Sequence, residues 1–391
     1  MGLDLGLEQA GIETSVAVEI DKWSCATIRY NRPELPLVSG DIRDVDAATI
    51  CELADVSPGE VDLVAGGPPC QSFSTAGKRS SILDIRGGLF QDFARVVDYA
   101  RPRFFVMENV RGILSAAIRH RPLNLRGPKH AALDADEQPG SALEVILDRL
   151  SKQLDYEVVY GIVNTVNYGV PQFRQRVVFL GSRDHEFGSM RWYPERMPIE
   201  ELLPPSHAEQ PTVERPYKWQ TLRSAVRGLG ERKPEFLKYS EARLKYLRLI
   251  PEGANWRYLR KFGERTVEDA LGGAYASDGG KVGFFRRLAF DRPSPTVTAT
   301  PIQKSTSLCH PTKDRVLSVR EYARVQQFPD DWVFAGSTAE KYKQIGNAVP
   351  IGLGAAIGEA LMNYYIESSH TRTRTVVAPS KTSRSRVLVA G

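Results

Sequence analysis

Gly66-Gly67-Pro68-Pro69-Cys70-Gln71-Ser72-Phe73-Ser74 follows the apolar run Val61-Asp62-Leu63-Val64-Ala65. The run reads as a buried strand, and the glycines and prolines end it in a turn. Proline fixes φ and removes a backbone donor, so the turn presents the Cys70 thiol from a stiff platform. Ligands in open α/β sheets bind outside the carboxyl ends of the strands, where this thiol falls. A cysteine is also ordinarily a small buried hydrophobe. The turn alone therefore leaves both a nucleophile and a core thiol open.

Working outward, Val16–Asp21 reads as a strand and Trp23–Tyr30 as a helix, with a short strand at Leu37–Ile42. Further strands are predicted over 104–107, Tyr156–Thr165 and Val177–Leu180, with a helix over Ala142–Leu154. Strands spaced by helices predict an α/β fold with a doubly wound, mostly parallel sheet. Phe104-Phe105-Val106-Met107-Glu108-Asn109-Val110 ends its apolar run in a carboxylate, and Pro171-Gln172-Phe173-Arg174-Gln175-Arg176 leads into the last strand. A thiol, an acid and paired arginines thus collect at strand ends.

The 391 residues suit one large or two modest domains, and the net charge of +5 is compatible with a polyanionic partner. No apolar run approaches the roughly 18 residues of a membrane span, and no signal segment opens the chain. Cys25, Cys51, Cys70 and Cys309 are scattered with no Cys-x-x-Cys pair. That spacing argues against structural zinc and a disulfide framework, and it fits a reducing cytoplasm that keeps Cys70 a thiol. No metal is expected.

In its motifs the chain resembles the cytosine-C5 DNA methyltransferases of bacterial restriction-modification systems. Pro68-Pro69-Cys70-Gln71, Glu108-Asn109-Val110 and the Gln-x-Arg-x-Arg of Gln172, Arg174 and Arg176 occur in the family's order. Arg320-Glu321-Tyr322-Ala323-Arg324-Val325-Gln326-Gln327-Phe328-Pro329 and Gly346-Asn347-Ala348-Val349-Pro350 resemble its late motifs. The resemblance implies a Rossmann-like catalytic domain with a smaller DNA target-recognition domain. It makes Cys70 the nucleophile that adds to C6 of cytosine, Glu108 the acid at N3, and Arg176 the partner of O2, with Arg174 supporting the site. It does not identify the base that removes the C5 proton. A base within a duplex cannot present C6 to a thiol, so the target cytosine must be flipped out.

The implied methyl donor is S-adenosylmethionine. Glu19 ends its strand where an acid binds ribose hydroxyls in nucleotide-binding α/β folds. Trp23 is placed to stack on adenine and Asp41 to accept from its amine, with Ile42 beside it. Pro69, Asn347 and Val349 complete the implied cofactor set. The implied partners are double-stranded DNA and a cognate restriction endonuclease acting on the same site, with the enzyme itself a monomer.

Residues 1–184 are assigned to the catalytic domain, 185–305 to target recognition, and 306–367 to a return to the catalytic domain. The region 185–305 interleaves basic and aromatic residues, as in Tyr217-Lys218-Trp219 and Trp256-Arg257-Tyr258. Such interleaving suits contact with phosphates and bases. Residues 71–89 read as a lid, with Lys78, Arg79 and Arg86 available to phosphate. Arg119, His120, Arg121, Arg126 and Lys129 mark an exposed excursion over 115–143 that also suits phosphate contact. Residues 368–391 read as a basic disordered tail.

One departure stands out. The family opens with a strand and a turn of the form Phe-x-Gly-x-Gly-Gly, whereas this sequence opens Met1-Gly2-Leu3-Asp4-Leu5-Gly6. The first, central strand is therefore expected to be missing. Either the natural start codon lies upstream, the reading favoured by the intact motifs, or the product is truncated and inactive. A tRNA cytosine-C5 methyltransferase is the other alternative. Its typical Cys-Phe-Thr string is absent, and Cys309 is followed by His310.

Overall fold

The structure, a computed structural model, describes residues 1–68, 88–188, 198–276, 282–372 and 386–390. The chain forms two compact units. One comprises 3–164, 175–205 and 354–391; the other comprises 1–2, 165–174 and 206–353. This departs from the expected boundaries. Residues 306–353 belong with the region expected to recognise the target, and 165–174 leave the catalytic domain to join them.

The first unit is built on a seven-stranded sheet. Its strands are β1 (Glu13–Glu19), β2 (Leu37–Ser39), β3 (Leu63–Gly66), β4 (Phe104–Val110), β5 (Glu157–Asn164), β6 (Gln175–Ser182) and β7 (Arg386–Ala390). Their order is β2-β1-β7-β3-β4-β6-β5. All run parallel except β6, which is antiparallel to both neighbours. Helices α1 (Gly2–Gln9), α2 (Lys22–Asn31), α3 (Ala47–Leu53), α4 (Leu89–Ala100) and α5 (Ser141–Leu147) precede or connect them. Parallel neighbours need such crossovers, and covered strands read as continuous apolar runs. β3 is buried throughout, as are Phe104–Met107 of β4.

Local signals set the elements. Asp21 caps α2 by accepting from the amides of Trp23 and Ser24. α4 turns Phe90, Phe93, Ala94, Val97 and Ala100 into the core at helical spacing and ends on Arg101 in the left-handed region, φ 44°. The helix expected over 142–154 is α-helical only to Leu147 and then widens into a π-helix at Asp148–Gln153. Phe105 packs edge-on to Phe93 and tilted on Tyr156, with ring centroids 6.0 and 5.2 Å apart.

One expectation about the end of the sequence is corrected. The position between β1 and β3 is taken by β7, which pairs with β1 on one edge and β3 on the other. The segment read as a disordered tail therefore supplies a sheet strand. A further helix, α6 (Ile351–Arg372), also runs into that segment. By length and composition, Thr338–Tyr365 passes for a membrane span, contrary to the sequence reading, but 56% of its apolar window is buried. Its glycines explain part of that burial. A Cβ on Gly354 would lie 2.6 Å from Leu3 O, and one on Gly358 would lie 2.6 Å from Ala10 Cβ, so α1 and α6 meet backbone to backbone.

The second unit is organised by buried polar side chains. Gln326 Nε2 donates to Ile345 O and Ala348 O at 2.6 and 3.0 Å, and its Oε1 accepts from Gln172 Nε2 at 2.6 Å. Gln172 Oε1 accepts from Val297 N at 3.0 Å. This network ties 165–174 to the late motifs, which is why the domain boundary falls where it does. Nearby, Arg315 pairs with Glu321 at 2.6 Å, and His310 Nε2 lies 3.5 Å from Glu321 Oε1. His310 Nδ1 accepts from the amides of Thr312 and Lys313, so its proton resides on Nε2. Burial pushes the His310 pKa down to about 4 from 6.5.

Two predictions follow from these contacts. Gln326→Leu strands two buried carbonyls and the Gln172 amide, and should cost about 3–5 kcal/mol in chemical denaturation; a change within about 0.5 kcal/mol would remove the network from the stability of this unit. For His310, the unfolded chain takes up the proton first as pH falls. Stability is therefore lost between about pH 6.5 and pH 4, by ~3 kcal/mol in full. His310→Asn should flatten the fall of melting temperature over that range, and parallel profiles for the two proteins would contradict it.

Candidate active site

β3 ends at Gly66, and the chain then enters Gly67-Pro68-Pro69-Cys70. Pro69 and Cys70, with the loop to residue 87, lie outside the described residues. What receives that turn is described. Gly66 pairs with Met107, which brings the turn alongside Glu108. A Cβ on Gly67 would lie 3.4 Å from Glu108 Oε2. Asn109 Nδ2 donates to Pro68 O at 3.0 Å, and its Oδ1 accepts from the Val110 amide. Asn109 is buried and fixes the backbone at Pro68, two residues before Cys70 in the sequence. The sequence reading did not single it out, although it stands next to Glu108 in the quoted motif.

Glu108 and Arg176 meet because β4 and β6 run antiparallel. Glu108 pairs with Val178, and Arg176 pairs with Val110. Residues two apart on a strand share a face, so Arg176 is the diagonal neighbour of Glu108, within reach of long side chains. Arg176 Nε lies 2.6 Å from Glu108 Oε1, and both side chains are mostly buried at 14% and 12% exposure. Arg176 Nη1 also donates to Gln175 O at 2.8 Å. An acid and a guanidinium are thus held beside Gly67, just past the carboxyl end of β3.

The other cysteines are structural. Cys25, Cys51 and Cys309 are buried, and Cys25 Sγ donates to Glu19 O at 3.2 Å. Burial pushes the thiols of Cys51 and Cys309 up, that of Cys309 to about 11, which keeps them protonated and inert.

Glu19 and Asp41 fall at the carboxyl ends of the adjacent strands β1 and β2. Glu19 Oε1 accepts from the Asp21 amide at 2.8 Å, and Gly40 N donates to Glu19 O at 3.0 Å. Trp23 opens α2, half-buried, with Lys22 Nζ 5.0 Å from its ring. Asp41 is held down to about pKa 2, first by side-chain bonds from Arg43 and then by the Arg43 amide. Ile42 is buried, and Arg95 fixes its carbonyl at 2.7 Å. Arg43 and Arg95 were not anticipated. Carboxylates with an adjoining indole and isoleucine at one sheet edge fit a nucleoside-bearing cofactor, whose ribose needs acceptors and whose base needs apolar walls.

Arg174, Asn347 and Val349 belong to the second unit. Arg174 is buried, and its Nη1 and Nη2 donate to Gly346 O at 3.0 Å, with Nη1 also reaching Val297 O. Its charge anchors the Gly-Asn-Ala-Val-Pro segment. Asn347 is exposed at the end of the helix Thr338–Asn347, and Val349 is buried.

The interleaved region separates by side-chain type. Tyr239 and Trp256 are core residues, whereas Lys218, Lys238, Lys245, Arg248, Arg257, Arg260 and Lys261 are exposed, as is Tyr217. The excursion over 115–143 differs from expectation. Arg119 pairs with Asp134, Asp136 and Glu137, and Arg121 pairs with Glu137, so these charges are met internally. No group of histidine, cysteine and acidic residues that could hold a metal occurs among the described residues.

Comparison with known proteins agrees with this chemistry. The sequence profile of the C-5 cytosine-specific DNA methylases matches residues 1–363. Type II methyltransferase M.Sau96I of Staphylococcus aureus is 37% identical over 363 residues, covering 93% of this chain and 74% of that protein. Type II methyltransferase M.PspPI of a Psychrobacter strain is 36% identical, covering 92% and 76%. Among solved structures, a prophage-encoded DNA modification methyltransferase of E. coli aligns at TM-score 0.59 and 24% identity, covering 93% of this chain and 96% of that one. The fold match extends to Spodoptera frugiperda DNMT2 at TM-score 0.58 and 14% identity, covering 92% and 96%. The chain belongs to the C-5 cytosine-specific DNA methylase family and is a DNA cytosine-5 methyltransferase.

Proposed function

We propose that the protein methylates C5 of a cytosine flipped out of duplex DNA at a specific site, as the modification partner of a restriction endonuclease. The observation that carries this reading is the Glu108–Arg176 pair at the sheet edge, beside the turn that leads to Cys70.

S-adenosylmethionine, when bound, supplies an electrophilic methyl group; Glu19, Asp41, Trp23 and Ile42 would hold its nucleoside, with Pro69 adjoining. The remaining chemistry belongs to the chain. Cytosine C5 is a poor nucleophile until the ring loses its aromaticity. Cys70, as thiolate, forms a bond to C6, and the displaced electron density moves toward N3 and O2. Glu108, having taken up a proton as it turns from Arg176 to the ring, gives that proton to N3, and Arg176 meets the charge on O2 with a guanidinium. The carboxyl and guanidinium that face each other in the free protein then face the ring. C5 forms its new carbon–carbon bond as the methyl group parts from its donor without the bonding electron pair, a base removes the C5 proton, the Cys70–C6 bond breaks with its electron pair returning to sulfur, and N3 returns its proton to Glu108.

The exposed lysines and arginines of 218–261 are suited to the DNA phosphates. Neutralising a phosphate row steers association and positions the duplex, whereas base-edge contacts select the site.

The reading is tested with DNA and radiolabelled S-adenosylmethionine. Label should enter DNA with the intact chain and be abolished in Cys70→Ala; transfer only to tRNA, or persistent transfer in the variant, would overturn it. Glu108→Gln keeps a donor but cannot deliver the proton, and should lower kcat by about 10²–10³-fold with DNA binding retained. Arg176→Gln should lower kcat by a similar factor. Unchanged kcat in both would remove the pair from the chemistry.

A further inference from the structure

Two adjacent arginines of the second unit, Arg286 and Arg287, are used in opposite ways. Arg287 is buried, and each of its three guanidinium nitrogens is engaged. Nε donates to Ile250 O at 2.7 Å, Nη1 to His310 O and Lys313 O at 3.0 Å, and Nη2 to Leu247 O at 2.8 Å and Asp314 Oδ1 at 2.7 Å. Its charge and its donors are both met within the unit. Arg286 is half-buried and donates once, from Nε to Ser307 O at 3.3 Å. Among the described residues its Nη1 and Nη2 have no acceptor, and no acid pairs with it.

A second guanidinium converges on the same residue. Arg243, also half-buried, donates to Ser307 Oγ, to Ile302 O and, at 2.9 Å, to Gln303 O. It lies 5.0 Å from the Tyr239 ring centroid and 5.8 Å from that of Phe285, and it too has no acid among the described residues. The exposed Lys304 adds a third cation on the same turn. Burial lowers the pKa of both guanidiniums, and the ionisable groups beside them, Tyr239, Cys309 and Tyr322, are neutral at pH 7 because burial raises theirs. Like charges drawn partly out of water without an opposite charge are unfavourable, and an anion between them reverses the sign.

The backbone holds this arrangement in place. Ser307 N donates to Gly283 O at 3.0 Å, and Cys309 N donates to Arg286 O at 3.2 Å. A Cβ on Gly283 would lie 2.0 Å from Ser305 O, so the segment that carries Arg286 runs against the turn that Arg243 fixes. Phe285, just before Arg286, is held in the left-handed region at φ 45°, which a bulky residue adopts only when its surroundings impose it.

We propose that Arg286, backed by Arg243, is a preformed seat for one phosphate group of the DNA backbone. Arg286 Nε is anchored on Ser307 O, which leaves the two Nη atoms as a fixed fork for two phosphate oxygens. The exposed lysines assigned to phosphate above are flexible point charges that add affinity at no fixed place. A fork held at its base accepts a phosphate in one position and thereby sets the register of the duplex on this unit. The seat deepens the functional reading and rests on it for the source of the phosphate.

The test uses the full chain, with affinity for duplex DNA measured against salt concentration. The log–log slope of the intact chain should exceed that of Arg286→Gln in magnitude by about 0.9, the share of one phosphate. Arg286→Lys keeps the charge but not the fork, so it should retain the slope and bind about threefold or more weakly. Without DNA, sodium phosphate should raise the melting temperature of the intact chain above its value in sodium chloride of equal ionic strength, and should not do so for Arg286→Gln. Equal slopes for the intact chain and Arg286→Gln would overturn the proposal. Equal slopes with an Arg286-dependent phosphate shift would assign the seat to free phosphate and overturn the DNA assignment. Should Arg286→Gln fail to fold, Arg286→Lys decides, and undiminished affinity in it would overturn the fork. If the intact chain transfers no label to DNA while the phosphate shift depends on Arg286, the functional reading falls and the phosphate seat stands.

Discussion

The antiparallel pairing of β4 with β6 is the constraint on which the catalytic edge depends. A parallel neighbour at that position would send its carboxyl end, not its amino end, to the ligand side of the sheet. Because β6 is reversed, Arg176 at its start arrives where β4 finishes, diagonal to Glu108. The register has little freedom. Phe105 pairs with Gly181, and a Cβ on that glycine would lie 1.9 Å from Phe105 Cε1, so the ring occupies space that only glycine leaves open. A one-residue slip would put Arg176 on the opposite face of the sheet from Glu108. The ion pair in turn keeps each mostly buried charge compensated.

Around that pair, backbone is positioned by side-chain amides. Asn109 holds Pro68 O in the first unit, and Gln326 with Gln172 holds the 345–348 segment in the second. Arg174 adds a guanidinium to Gly346 O. In each case a buried side chain supplies hydrogen bonds that the local backbone cannot make for itself. The Gln-x-Arg-x-Arg string thereby serves two purposes. Gln172 and Arg174 stabilise one unit, and Arg176, two residues further on, pairs with Glu108 in the other.

The centre of the sheet illustrates a different dependence. Parallel strands need not be neighbours in sequence, and β7 comes from the far end of the chain to lie between β1 and β3. Adjacent strands in such a sheet are linked only by ladders and by the helices packed over them. The relative placement of Glu19 and Gly67 therefore passes through the strand at that position.

Much of this protein was legible in its residues. The alternation of apolar runs with amphipathic helices is local, so strands at 61–65, 104–107 and 177–180 could be placed within a few residues of where they lie. The candidate catalytic set could be named because Cys70, Glu108 and Arg176 sit in short strings whose chemistry is tied to residue type. Contacts between distant segments were not legible. The acids that meet Arg119 and Arg121 stand more than a helical turn away, and nothing periodic announces them. The Gln326 and Arg174 contacts join segments far apart in sequence, so the boundary between units could not be read from composition. Arg386–Ala390 was obscured by the basic, serine- and threonine-rich residues before it, and a five-residue apolar run carries no sign of which strands it will join. The sequence by itself determined the family's motifs and most strands of the sheet. Only the tertiary structure decided the pairing partners, because hydrogen-bond ladders and buried side-chain contacts depend on which segments meet in space.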